Sequence, residues 1–322
     1  MRAKTRSSRR GSALLAVLWL VAALSAIALS VGGTVRGEME RTSTALDGTR
    51  AYYLATGGLE RALLYMQWGQ QYRNPDGSSQ YYNSWTRSLR FTFPTGEAVV
   101  EIVPETAKLN LNSARPQDLL RLLAALGVQP DLARQITAAI VDWRSAPGGE
   151  RFTDFDRDYL SLVPSFRAPH ASFQEVEELL AVRGITPELF HGRLDRDAQG
   201  RLTPRAGLKD CVSIYGGSSV DVNTAPAAVL AAVGLGEQEV NAVLQAREVR
   251  PFRTTEELRG AVAQDEARAR LLIGGGPLYT LRATARLRLA DGTFSDLTRS
   301  VGAMVLMGGQ STGRIVRWHD HL

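Results

Sequence analysis

Residues 12–31 carry no charge, and five cations (Arg2, Lys4, Arg6, Arg9, Arg10) and Gly11 stand directly before them. Twenty apolar residues at about 1.5 Å each span about 30 Å, the thickness of a bilayer core. The next charge is Arg36. One membrane helix is therefore expected, with its cationic end in the cytoplasm and the rest of the chain across the membrane. A cleaved secretory signal is the competing reading, but its apolar region usually runs only about 7 to 15 residues. Helical character also continues through Glu38, Met39, Glu40 and Arg41 and then from Ala45 to Gln70, weakened only by glycines at 32, 33, 37, 48, 57, 58 and 69. Arg9 and Arg10 open like a Tat signal, with a generic pattern after them.

Charge argues against a nucleic-acid partner. The sequence has 38 Lys and Arg against 33 Asp and Glu, and the five excess cations all lie in residues 1–10. From Ser12 onward the chain is formally neutral, so no global field draws it to phosphates. Cys211 stands alone, which rules out an intrachain disulfide. Beside Val212 and Ile214 it reads as a packed strand residue.

Past the long helical region comes a polar loop at residues 74–79. Residues 90–93 and 97–103 then have the composition of a hairpin around Pro94, Thr95 and Gly96. A second β cluster covers 279–289 and 294–307, with Leu281, Ala283, Ala285, Leu287 and Leu289 alternating before the turn at Asp291 and Gly292. The fold class expected is α+β. An N-terminal transmembrane and stalk helix packs on an antiparallel sheet, and a large α-helical domain is inserted between the strands. The remaining tail after Met307 reads as mobile.

The insertion carries an internal repeat. Leu111-Asn112-Ser113-Ala114 with Leu119 matches Val222-Asn223-Thr224-Ala225 with Leu230; in both, the Asn and the Ser or Thr are expected to cap the helix start, with Pro116 or Pro226 in the first turn. Further helix starts are expected at 172–175 and 254–257, which fit capping boxes. Gly127, Gly184 and Gly234 fall where helices turn. The repeating unit is a short helix, a glycine hairpin and a second helix.

The run RRGSALLAVLWLVAALSAIAL, the later RAYYLATGGLERAL, and downstream KLNLNSARPQDLLRLL and VDVNTAPAAVLAAVGL resemble the minor pseudopilin K family of type II secretion, GspK. The resemblance extends to about Met307. It implies a pilin-like α/β core with a large α domain containing helix-hairpin-helix or SAM-like units, and a subunit at the pseudopilus tip. The organisation that follows is a prepilin leader at 1–11, a transmembrane helix at 12–32, and the stalk with the first strands at 33–108. The helical domain occupies 109–210, a second helix-hairpin-helix unit 211–275, the C-terminal strands 276–307 and the tail 308–322.

The same resemblance implies cleavage by a prepilin peptidase between Gly11 and Ser12, with methylation of the new N-terminus. It also implies an inner-membrane, single-pass protein with a periplasmic head, whose partners are the minor pseudopilins I and J and other pseudopilus subunits. Pilin-like subunits generally carry a glutamate at mature position five, where this chain has Ala16. A buried carboxylate persists in a membrane only with a cationic partner, so its absence suits a fibre end and equally a plain anchor. Tyr52, Tyr53, Leu54, Leu59 and Leu63 are candidates for partner contact, or for packing on the protein's own sheet.

The helical units also resemble the helix-hairpin-helix of DNA-binding proteins, including membrane-anchored competence receptors. Between Asn223 and Gly260, however, Arg247, Arg250, Arg253 and Arg259 face five acids, Glu237, Glu239, Glu248, Glu256 and Glu257. The hairpins therefore read as packing modules.

Catalysis finds little support. The chain has no HExxH and no phosphate loop, and the G-x-S-x-G match at 309–313 has only nine residues after it to supply partners. The better site candidate is a cation. Asp154, Asp156 and Asp158 form a D-x-D-x-D run near Glu150 and Asp142, a carboxylate density that suits Ca²⁺. The family resemblance implies calcium in the helical domain, with Asp142-Trp143 opening its Asp-Trp-x-Asp stretch and Ser145 standing in place of the second carboxylate. A weaker run, Asp195 to Gly200, opens like an EF-hand loop but has Ala206 at its twelfth position.

Overall fold

The structure is a computed structural model that describes residues 10–75, 77–146, 152–196, 200–308 and 313–320. It begins with a single helix, α1 (Arg10–Gln71), of 62 residues. At about 1.5 Å per residue α1 is on the order of 90 Å long. No glycine breaks it.

In chain order there follow β1 (Ser88–Phe93), β2 (Gly96–Pro104), β3 (Leu109–Asn110), α2 (Pro116–Ala125), α3 (Pro130–Arg144), α4 (Asp154–Leu160), α5 (Pro187–His191), β4 (Arg193–Arg196) and β5 (Leu202–Arg205). The second half comprises α6 (Leu208–Cys211), β6 (Val212–Ser213), β7 (Val220–Asp221), α7 (Ala227–Ala232), α8 (Glu237–Val249), α9 (Thr255–Ala261), α10 (Asp265–Arg268), β8 (Leu271–Leu272), β9 (Leu278–Arg288), β10 (Phe294–Met307) and β11 (Gly313–His319). Where a helix was expected to start at 172–175, the chain instead enters a 3-10 helix, Val176–Ala181.

Residues 13–36 of α1 are exposed throughout. Leu14, Trp19, Leu24, Ile27 and Leu29 are all exposed, as a segment selected for a lipid solvent should be. The C-terminal half turns one stripe inward, Ala51, Ala55, Leu59, Ala62 and Met66, at spacings of three and four residues. Small residues let the helix lie close to the sheet. Gly58 sits so near β2 that an added Cβ would come 2.6 Å from the Cβ of Ala98.

The sheet runs β1-β2-β9-β10-β11, with every pairing antiparallel. Tyr279, Leu281, Ala283 and Ala285 point into the core shared with α1 and Leu287 is buried on the same face, while Leu289 lies beyond the strand and is exposed. β11 was not anticipated. The expected mobile tail instead pairs residues 313–319 along the β10 edge, which would otherwise present a row of unsatisfied backbone groups. Beyond it, Trp318 Nε1 and Tyr52 Oη both donate to Asp320 Oδ1, at 2.7 and 2.8 Å, which closes the chain end onto the stalk.

Between β2 and β9 lies the helical domain, with its own core around Leu119, Leu122, Ile136, Trp143, Tyr159 and Val229. Two short parallel ladders, β3 with β6 and β7 with β8, tie its halves together. Cys211 closes α6 just before β6. It is fully buried, and burial pushes its thiol up to about 12. Glu105 joins the domain to the sheet, accepting from Thr280 Oγ1 on β9 at 2.6 Å, from Lys108 Nζ at 2.9 Å and from Ser213 Oγ on β6.

Candidate functional site

The internal repeat has a structural meaning beyond capping. Asn112 accepts from Phe173 N at 2.8 Å and donates to Phe173 O at 3.0 Å; Asn223 does the same to Phe252 at 2.8 and 2.9 Å. Each asparagine thus mimics a strand partner for a distant backbone. An arginine completes each unit: Arg144 donates to the carbonyls of Leu111 and Ala114, and Arg247 to those of Val222 and Ala225. The equivalent roles fall on equivalent positions, so the repeat is one of architecture. The asparagines do not cap helices as their spacing suggested, because their amides are committed to the chain opposite.

These contacts remove the features a DNA-binding hairpin needs. Arg247 points inward, and burial pushes its guanidinium down to about 10. The hairpin N–H of Gly236 is taken by Glu239 Oε2 at 3.0 Å, and Oε1 of the same carboxylate accepts from Ala263 N at 2.8 Å. That hydrogen bond to Gly236 leads the effects holding Glu239 below the usual carboxylate range. A phosphate approaching this loop meets a carboxylate instead of free donors.

The candidate calcium residues are separated by the fold. Asp154 is 93 % exposed and pairs with Arg157 Nη1 at 2.9 Å. Asp158 pairs with Arg183. Glu150 lies outside the described residues. Asp142 and Asp156 do come together, joined by two residues that sequence reasoning passed over. Thr153 Oγ1 accepts from Asp156 N at 3.1 Å and donates to Asp142 Oδ2 at 3.3 Å, and Thr153 N donates to Asp156 Oδ2 at 3.2 Å. The pattern Thr153-x-x-Asp156 is a capping box that opens α4, and this could have been read from the sequence.

His170 is the other missed residue. Its Nε2 lies 2.9 Å from Asp156 Oδ2 and its Nδ1 lies 3.1 Å from the Asp142 backbone oxygen. Burial pushes the Asp156 carboxyl up, but the His170 ring and the Thr153 N–H outweigh it and hold the group below its ordinary range. For His170 burial acts downward, and its bonds to Asp156 and to the Asp142 carbonyl overcome that and raise it. Asp142 is raised by burial, against the pull of His170 and Thr153.

Calcium takes about six to eight oxygens. Here Oδ2 of Asp156 is committed to the histidine and the Thr153 N–H, and Thr153 Oγ1 to α4 and Asp142, which leaves Asp156 Oδ1 as the atom of these two residues that is buried without a partner. Among the described residues no three His, Cys, Asp or Glu side chains converge as a metal set. The donors present among the described residues do not fit calcium. The EF-hand-like run fares similarly: Asp195 sits on β4 and pairs with Arg193 Nε at 2.8 Å and Arg205 Nη1 at 3.5 Å, and residues 197–199 lie outside the described set.

The stalk candidates divide. Leu59 is fully buried in the helix–sheet core and offers nothing to a partner. Leu54 and Leu63 pack partly against the same core, and Tyr52 is held by Asp320. Tyr53 is 68 % exposed. It belongs to a row of exposed apolar residues, Met39, Leu46, Tyr53 and Leu64. Their spacings of seven, seven and eleven residues each return to within about 20° of the same side of the helix.

A long helix, apolar and unpacked at its N-terminal end and laid along an antiparallel sheet at the other, defines a pilin-like subunit. α1 contains one stretch long and apolar enough to cross a membrane, and its most apolar window is unburied. Two family models match the chain, at residues 100–193 and 220–272, both described as "Type II secretion system (T2SS), protein K". Curated relatives named type II secretion system protein K include that of Pectobacterium carotovorum subsp. carotovorum, 27 % identical over 256 residues, covering 73 % of this chain and 74 % of the relative. That of Pseudomonas aeruginosa is 30 % identical over 195 residues, covering 54 % and 57 %. The fold matches a chain of the GspK-GspI-GspJ complex crystal structure from enterotoxigenic Escherichia coli with a TM-score of 0.54 at 17 % identity, covering 88 % of this chain and 98 % of that one. The chain thus matches the type II secretion system protein K family over both of these segments and is a minor pseudopilin of type II secretion.

Proposed function

We propose that this protein sits at the tip of a type II secretion pseudopilus in complex with the minor pseudopilins I and J. The observation that carries this reading is the exposed row Met39, Leu46, Tyr53 and Leu64, which leaves α1 with an apolar face that its own sheet does not cover. The solved structure that this fold resembles is itself a complex of GspK with GspI and GspJ. A helix with one side on its own sheet and an apolar row on the other suits packing against neighbouring stalk helices.

The role is mechanical. Residues 12–31 hold the subunit in the inner membrane, with the head in the periplasm, until it is extracted into the filament. The helical domain, whose two helix–glycine–helix units act as packing modules of the helix-hairpin-helix type, makes the head broader than the stalk and blocks addition of a subunit above it. Ala16, apolar at mature position five, fits a subunit with no partner ahead of it. Cleavage between Gly11 and Ser12 by a prepilin peptidase precedes assembly.

The test is co-purification of the full-length chain with I and J from detergent extracts. Leu46→Asp with Tyr53→Asp is expected to abolish co-purification while leaving the melting temperature unchanged, since neither side chain contributes to the core. Retention of both partners by the double variant would overturn the assignment of this face.

A further inference from the structure

We propose that His170, with Arg167 beside it, fills the place a calcium ion would take between Asp142 and Asp156, so that the helical domain of this protein folds and holds without calcium. The inference departs from what the family resemblance implies and rests on how the carboxylates are occupied.

Both ring nitrogens of His170 face acceptors. Asp156 Oδ2 and the Asp142 carbonyl have no hydrogen to give, so each bond requires an N–H from the ring, and the ring must carry both. A doubly donating imidazole is a cation. Asp142 Oδ2 lies 3.9 Å from Nδ1, and Arg167 Nε lies 3.7 Å from Asp156 Oδ2. Two carboxylates therefore meet two organic cations inside one cluster, and the local charge is balanced before any ion arrives. The His170 side chain is 6 % exposed and the Asp156 side chain is fully buried, so the imidazole stands in the space where a shared ion would have to bind.

The backbone is shaped for this placement. His170 is the one non-glycine residue with positive φ among those described, at 48°. That left-handed conformation is uncommon for residues with a Cβ, and Asn, Asp and His adopt it most readily. It delivers the ring to Asp156, while Ala171 N donates to Trp143 O at 3.1 Å and pins the next residue to α3. The result joins the end of α3, the start of α4 and the segment after α4 at one point, a task for which a bound divalent ion would otherwise serve. The family's second carboxylate position holds Ser145, whose N–H closes α3 on the Asp142 carbonyl at 3.2 Å and which supplies no charge.

The test uses the full-length protein in detergent at neutral pH, melted in excess chelator and again in millimolar CaCl₂. An ion at 100 times its dissociation constant raises the melting temperature of a domain this size by on the order of 5–10 °C. The expected shift for the wild type is less than about 1 °C by the same relation, with no stoichiometric heat of calcium binding in a titration. His170→Asp replaces the internal cation by a third carboxylate at a φ that aspartate tolerates. It is expected to melt lower in chelator and to regain several degrees in calcium. A wild type that shifts by several degrees, with the shift removed by Asp142→Asn, overturns the proposal, as does a folded His170→Asp variant indifferent to calcium. Should His170→Asp not fold, the wild-type pair of melts and the titration decide alone.

Discussion

Replacing Arg270 by Ala isolates a buried charge whose environment is fully defined. Asp118, on the first turn of α2, is completely buried and receives Arg270 in two parallel bonds of 2.7 and 2.9 Å, with Arg270 itself only 12 % exposed. Truncating one partner of such a pair costs about 3–5 kcal/mol, because the remaining carboxylate stays out of water uncompensated. Arg115 moderates the loss: its backbone N–H reaches Asp118 Oδ2 at 3.1 Å and its Nε at 3.3 Å. We therefore expect about 3 kcal/mol for Arg270→Ala, more than a hundredfold in the unfolding constant.

Urea unfolding of the full-length protein in detergent, followed by tryptophan fluorescence, reads this directly. Asp118→Asn combined with Arg270→Ala should cost less than the two single changes added, since the double variant buries no unpaired charge. Burial pushes Asp118 up, but Arg270 and the Arg115 N–H outweigh it and hold its folded value below the ordinary one. A depressed folded value means the pair's contribution is present above the unfolded value, near pH ~4, and is lost as pH falls through the folded value. The gap between wild type and Arg270→Ala should therefore close in acid. A loss below about 1 kcal/mol at pH 7, or strict additivity with Asp118→Asn, refutes the reasoning.

Two other substitutions test the packing. Gly58→Val forces a side chain against Ala98 and should cost about 1–3 kcal/mol in the same urea assay, partly recovered by adding Ala98→Gly; no loss would mean α1 and β2 separate freely. Asn223→Ala leaves the buried N–H and C=O of Phe252 unpaired and should cost about 2–4 kcal/mol, while Asn112→Ala, at a half-buried position that water can reach, should cost less. The reverse order would break the equivalence of the two repeats.

Much of this protein is written locally. The charge-free segment from 12 to 31 needs no tertiary partner to be long and apolar enough to cross a membrane, since length and apolarity alone determine that. The strands at 90–103 and 279–307 were legible because alternation reports burial residue by residue, and the interruption between them marked the insertion. The repeat around Asn112 and Asn223 was visible as a spacing.

What the spacing could not disclose was its purpose, because the chain each asparagine clamps, at Phe173 or Phe252, lies outside any local window. The acidic run at 154–158 looked like one site on paper. Once Thr153 started a helix there, successive residues faced different directions, sending Asp154 and Asp158 to solvent-side arginines and Asp156 inward to His170. Leu59 and Tyr53 were indistinguishable as apolar stalk residues until the sheet chose one face of α1 to cover. Residues 313–319 became a strand only because β10 offered an open edge. Local periodicity determined which elements form; the distant partner of each side chain, and with it the charge balance of the buried cluster, was decided by which surfaces the folded chain brought together.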